Sequence, residues 1–304
     1  MAEPLAVRCA AASLDRDEPL HGTASRVQRW MVVEQPGAWG REAVLESKLD
    51  RDVAARLQAD ADRHRVRVVL ARRTDRRRDH RLRRVYLAHS GAERRWIEQV
   101  DLPAGDAAAV LSVDLATTAF PEPPGLGAPG PPALFLVCTN GRHDPCCADL
   151  GRPVVRALVA AGAPDVWECS HIGGDRFAAN VVSLPDGVYY GRVDPAGAAA
   201  LLAGHRDGVV ALDHYRGRSC HPPLVQAAEL FARRHLGERR LDGMGVLSAE
   251  RGGDGTVVVL VQQRGGEALE VVVQRERAPA TQLTCHVQEP RRPWSYRLVA
   301  LGPA

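Results

Sequence analysis

Long apolar runs are missing from this sequence. None approaches the ~18–20 consecutive apolar residues of a membrane-spanning helix, so no membrane partner is expected. Met1-Ala-Glu-Pro-Leu5 lacks the basic start and apolar core of a secretory signal, which predicts a cytoplasmic protein whose thiols stay reduced. A C-x-x-C pair is absent as well, and with it the usual mark of a dithiol oxidoreductase. Lysine is scarce, and the one dense basic run, Arg72-Arg-Thr-Asp-Arg-Arg-Arg-Asp-His-Arg-Leu-Arg-Arg84, has no interleaved aromatic residue or binding motif. No nucleic-acid partner is therefore expected. The run reads as a solvated loop, with a docking patch for an acidic protein as the alternative. No repeat of fixed period is visible.

What is present bounds the class. The 304 residues suffice for about two domains. With 45% hydrophobic and 25% charged residues the chain has the ordinary globular balance, and 40 Lys+Arg against 37 Asp+Glu leave it nearly neutral at +3. Seven cysteines, an odd number, argue against a complete disulfide framework and, in a reducing compartment, for metal binding or catalysis.

Periodicity predicts a mixed α/β (α+β) chain in three parts. Residues 1–25 carry little pattern, 27–34 read as a buried strand, 42–62 as a helix, and 65–71, 83–89 and 94–101 as strands, together a small N-terminal α/β domain over 1–120. Residues 103–115 are ambiguous. Six prolines and three glycines in 120–132 exclude a regular element there and mark a domain boundary. Beyond it, strand 133–138, helix 149–161, strands 165–169, 179–184 and 188–193 and helix 195–203 make a βαβ unit, a hairpin and a helix. That is the pattern of a thioredoxin-like domain over 131–220. Residues 221–304 read as a helix over 222–236 and an antiparallel meander of strands at 243–249, 255–263, 268–275, 282–287 and 294–301.

Four of the seven cysteines fall within residues 134–193, each at or just beyond the end of a short apolar run. Ligands gather at the carboxyl ends of strands in α/β sheets, so Cys138, Cys146, Cys147 and Cys169 are placed to meet around one centre. Cys138 and Cys147 are separated by eight residues, too many for a zinc knuckle. Cys146 and Cys147 are adjacent and point apart, so one ligates while the other packs. Cys220-His221 and Cys285-His286 lie far from this group in sequence and read as ordinary structural positions.

Cys138-Thr-Asn-Gly-Arg-His-Asp-Pro-Cys-Cys147, with Ser170-His-Ile-Gly-Gly-Asp-Arg-Phe-Ala-Ala-Asn180, resembles the sucrase/ferredoxin-like family over about residues 20–240. The resemblance implies a thioredoxin-like ferredoxin domain holding a 2Fe-2S cluster, an electron-transfer role and a redox protein partner. Sugar cleavage is not expected, since no carboxylate pair stands in a glycosidase setting. In fungal relatives a C-x8-C pair and an H-x3-H pair hold the cluster. Cys138, Cys147 and His171 match three of those positions, and Asp175 stands where the second histidine belongs. Carboxylate is a poor ligand for such iron, and Cys169 shares a strand face with His171. The expected ligands are therefore Cys138, Cys147, Cys169 and His171, with Cys146 and Asp175 as alternatives. Gly173 and Gly174 would bring backbone N–H groups to the cluster, and Arg142 and Arg176 would add positive charge. A thiol-disulfide oxidoreductase or a structural zinc protein are the competing classes.

Overall fold

A computed structural model describes residues 8–74, 81–163, 165–252, 255–287 and 289–304. The start of the chain, read above for a targeting signal, and residues 75–80 of the arginine run lie outside them.

The first described element is a short helix, α1 (Cys9–Asp15), in a stretch without helical periodicity. β1 (Arg29–Glu34) and β2 (Arg67–Arg73) pair in parallel, so the chain between them must cross over, and α2 (Arg51–His64) is that crossover. The helix starts later than the apolar spacing from residue 42 predicts, because Asp50 caps it by accepting from the N–H groups of Asp52 and Val53. Val44 and Leu49 reach the same core from turns instead. β3 (Leu82–Ser90) and β4 (Arg95–Pro103) follow as an antiparallel pair, and the ambiguous stretch after them forms two 3-10 turns capped by Asp106 and Asp114. Within the proline-rich segment, β5 (Ala128–Pro129) pairs with Glu98 and Gln99 of β4, a two-residue strand where no regular element was expected.

β6 (Leu134–Cys138), α3 (Pro145–Ala160) and β7 (Val166–Cys169) form a parallel βαβ unit. β8 (Val181–Leu184) runs antiparallel to β6, β9 (Val188–Tyr190) antiparallel to β8, and α4 (Ala198–Arg206) follows. The order β9-β8-β6-β7, parallel only at β6 and β7, is the thioredoxin-like arrangement. β10 (Tyr215–Arg218) extends it beyond β9.

One ten-stranded sheet joins these two halves, because β2 pairs with β7 and sets Ala71 opposite Cys169. The proline-rich segment therefore connects strands of a single sheet. That sheet is curled. β1 and β9 lie five steps apart in the strand order, which is about 24 Å in a flat sheet at ~4.8 Å per step. Yet the rings of Trp30 and Tyr189 are 6.3 Å apart. The concave face encloses a core of Trp30, Tyr86, Leu136, Trp167 and Tyr189. The opposite face is covered by α2 in one half and by α3 and α4 in the other.

The C-terminal part is α5 (Pro223–Leu236) packed on an antiparallel meander of β11 (Met244–Arg251), β12 (Thr256–Gln263), β13 (Ala268–Arg277) and β14 (Trp294–Pro303). Alternate residues Val257, Val259 and Val261 face the helix. Residues 282–287, expected as a strand, are not one. The N–H of Cys285 is taken by Asp144 Oδ2 at 2.7 Å, not by a neighbouring strand. Among the described residues no helix is long and apolar enough to cross a membrane.

Candidate metal centre

Cys138 is the last residue of β6, and the turn after it leads directly into α3. Asp144 caps that helix, accepting from the Cys146 N–H at 2.9 Å, and Pro145 takes the first helical position, where its fixed φ fits and its missing N–H costs nothing. The helix thus begins four residues earlier than the apolar pattern predicts, and both neighbouring cysteines sit in its first turn. Successive helical residues point about 100° apart. Cys147 turns toward Cys138 and His171, whereas Cys146 turns toward Cys9 and Cys285. Gly151 lets the helix settle on the strand end: a Cβ there would lie 2.2 Å from the Cys138 carbonyl oxygen.

His171 and Asp175 come from the loop after β7, at the same carboxyl end of the sheet. One donor atom from each of Cys138, Cys147 and His171 lies within 4.8 Å of the others, and the same holds for His143, His171 and Asp175. Asp175 links the two groups. Its Oδ1 accepts from the Cys147 thiol at 3.3 Å and stands 2.9 Å from His171 Nδ1, while its Oδ2 is 3.7 Å from His143 Nε2. The His143 and His171 rings stack at 3.6 Å.

The charges are strongly coupled. The hydrogen bond from Cys147 holds the Cys138 thiol well below its usual range against the effect of burial, and His171 adds to the lowering. Cys147 is pushed up by its bond to Cys138 and by burial. Burial alone would lower His171, but Asp175 and Cys138 raise it to about 9. Burial also works against the charged form of Asp175, yet His171 keeps that carboxyl below its usual value. Burial and then the charge of His171 lower His143. Within the set the charged forms of Cys138, His171 and Asp175 favour one another against the effect of burial. Two thiol sulfurs and two imidazoles are soft and borderline donors, and His171 Nδ1 stands 2.9 Å from Asp175 Oδ1. These residues fit iron-sulfur ligation, with protons that a metal would displace.

The other expected site residues fall as follows. Cys169 shares the concave face with Cys138 and stands opposite it in register, but it is not one of the residues whose donor atoms converge. Burial and then the Cys138 charge push its thiol well up. Gly173 and Gly174 have left-handed φ values of 102° and 87°, and Cβ atoms there would lie 2.4 Å from Ser25 Oγ and 2.3 Å from Arg216 Nη2. Arg142 is exposed, and Arg176 donates to Glu18 at 2.7 Å.

Two residues went unnoticed in the sequence. His143 lies within the C-x8-C loop, and a histidine between two candidate cysteine ligands was the available signal. Arg216 lies 41 residues beyond Asp175, with no local pattern to mark it. It is 1% exposed and spans the turn carrying Asp175, donating to Gly173 O at 2.9 Å and Asn180 Oδ1 at 2.8 Å.

A sucrase/ferredoxin-like family model matches residues 20–217, and the chain belongs to the sucrase/ferredoxin-like family. Among solved structures, two variants of the thioredoxin-like [2Fe-2S] ferredoxin from Aquifex aeolicus, each with one cysteine changed to serine, are similar to part of it. One is 20% identical, with a TM-score of 0.24, covering 27% of this chain and 95% of the ferredoxin. The other is 21% identical, with a TM-score of 0.22, covering 25% and 88%. No curated protein matches the chain.

Proposed function

We propose that this protein carries electrons on one 2Fe-2S cluster held by Cys138, Cys147, His171 and His143, and exchanges them with a redox protein partner. The observation that carries this reading is the convergence of Cys138, Cys147 and His171 at the carboxyl ends of β6 and β7, with the His143 ring stacked on His171. The bound cluster would supply one-electron exchange. His143 replaces the imidazole missing at position 175. Its Nδ1–H donates to the Arg41 carbonyl at 3.2 Å, which leaves Nε2 as the ligating nitrogen. Asp175 faces both rings and orients them.

The thiols are buried, while the side chains of His143 and His171 are 25% and 21% exposed. Electrons would enter at the imidazole edge, which opens into a recess of about 490 Å³ also lined by Arg41, Glu42, Arg67 and Ser170. Anaerobic purification with an absorption spectrum and iron and sulfide analysis tests the proposal. A brown-red protein with iron and sulfide in equal amounts is expected, and a colourless one would overturn it. Iron content of His143→Ala, Asp175→Ala and Cys169→Ala tests the fourth ligand. Loss in the first with retention in the third supports His143, and full iron in His143→Ala with loss in Asp175→Ala would transfer the role to the carboxylate.

A second reading, thiol-disulfide exchange, is favoured by the lowered Cys138 thiol beside Cys147. It requires a colourless protein in which these two cysteines oxidise to a disulfide.

A further inference from the structure

Cys9, Cys146 and Cys285 come from three distant parts of the chain and meet on the other side of the first turn of α3. The sulfurs of Cys9 and Cys146 are 3.7 Å apart, and those of Cys146 and Cys285 are 3.4 Å apart. Asp144 stands 3.7 Å from the Cys9 sulfur. One donor atom from each of the four residues lies within 4.8 Å of all the others. We propose that Cys9, Cys146, Cys285 and Asp144 form a second metal site, for a single tetrahedral zinc ion, separate from the cluster site.

The Cys9–Cys146 separation of 3.7 Å matches the ion, and the Cys146–Cys285 separation of 3.4 Å is a few tenths of an ångström shorter. Zinc–sulfur bonds of ~2.3 Å in a tetrahedron set sulfur–sulfur edges of about 3.7–3.8 Å. A disulfide between Cys146 and Cys285 would use two sulfurs at about 2.05 Å and leave the third thiol and the carboxylate without a role. Packing as small apolar groups does not account for the arrangement either, because the three thiols face a buried carboxylate. The Asp144 oxygens accept from the N–H groups of Cys146 and Cys285 at 2.9 and 2.7 Å, which fixes the carboxylate and leaves each oxygen a further lone pair. The Cys9 N–H donates to the Cys285 sulfur at 3.4 Å, and Arg8 hydrogen-bonds the same sulfur, so charge on the thiolates is partly offset. Binding would release the thiol protons to solvent. The ion would tie α1 and the segment before β14 to the helical turn that also carries Cys147.

The test uses the full chain with Cys138→Ser and His171→Ala, so that the cluster site is disabled. Reduced, metal-free protein is titrated anaerobically with Zn2+ alone, and in parallel with Co2+. About one zinc per chain is expected, with cobalt–thiolate charge-transfer bands in the cobalt form. Adding Cys9→Ser should abolish both, and so should Cys285→Ala, which changes only a partly exposed residue and guards against a folding failure at Cys9. Asp144→Asn should keep the thiolate bands and weaken binding by about tenfold or more. In the otherwise wild-type chain, Cys285→Ala should retain its iron. Folded protein that binds no zinc, zinc binding unchanged by Cys9→Ser and Cys285→Ala together, or a Cys146–Cys285 disulfide in anaerobically purified protein would each overturn the proposal.

Discussion

Replacing Arg216 with methionine should unlock the turn that carries His171 and Asp175. The guanidinium is fully buried and donates four hydrogen bonds, all to uncharged acceptors: Thr23 Oγ1 at 3.0 Å, Thr23 O at 2.5 Å, Gly173 O at 2.9 Å and Asn180 Oδ1 at 2.8 Å. Burial lowers its pKa to about 10 despite the nearby Tyr189, Asp175 and Cys147, so keeping the charge there already costs stability. Hydrogen bonds from a charged donor contribute roughly 1.5–3 kcal/mol each, or about 6–12 kcal/mol for four. Relief from burying the charge offsets several kcal/mol of that and leaves a loss of about 3–5 kcal/mol. At roughly 2–4 °C per kcal/mol, Tm should fall by about 6–20 °C. Arg216→Lys, which keeps the charge but not the fork, should fall in between. Differential scanning fluorimetry at matched metal loading gives Tm, and iron analysis well below Tm reports on the site. Gly174→Ala should reproduce the Arg216→Met effect, since its Cβ would lie 2.3 Å from the same guanidinium. An Arg216→Met protein with unchanged Tm and full iron would refute the assignment of Arg216 as the brace of this turn.

Other consequences are open to direct measurement. Cys138→Ser and Cys147→Ser should each abolish iron binding, because a serine hydroxyl is a poor substitute for a soft thiolate, while Cys220→Ser should not; atomic absorption decides it. Gly151→Ala, which in an exposed helix would stabilise, should here cost about 1–3 kcal/mol in chemical denaturation, because the new methyl meets the Cys138 carbonyl. Glu229, buried in α5, accepts from Arg233 at 3.0 Å and from Tyr215 at 3.0 Å. Burial raises its carboxyl but Arg233, His221 and Arg218 outweigh that, so the folded pKa is lowered. The stability this supplies is present above the unfolded value of about 4.3 and is lost as pH falls through the folded value. Glu229→Gln should therefore be destabilised by about 3–5 kcal/mol at pH 7 and show a shallower loss of stability between about pH 5 and 3.

The elements most legible in the sequence are those whose partners are near in the chain. β6, β7 and the α3 crossover follow from short apolar runs and one helical stretch. Cys138 and Cys147 stand at or just beyond the ends of such runs, and His171 was marked by the family resemblance of the segment that carries it. The early start of α3 was written in Asp144-Pro145, a cap and first-turn proline that apolar periodicity passes over. The pairing of β2 with β7 leaves no local trace, because about a hundred residues separate its register partners. Cys9 and Cys285 were the hardest to place. Their contact spans 276 positions, and each alone reads as an ordinary structural cysteine.

The seating of β7 between β2 and β6 bears on which strand edges the sheet leaves open. Inside the sheet, Val166–Cys169 has both sides hydrogen-bonded. Residues 131–220 produced alone would leave one side of this apolar strand bare, a template for pairing with a second molecule. Among the described residues, β5 is the last strand of the sheet, beyond β4. It is two residues long and ends in Pro129, which has no N–H to offer an incoming strand. The proline-rich segment thus covers β4 at Glu98 and Gln99, and at that point Pro129 has no N–H for a further strand.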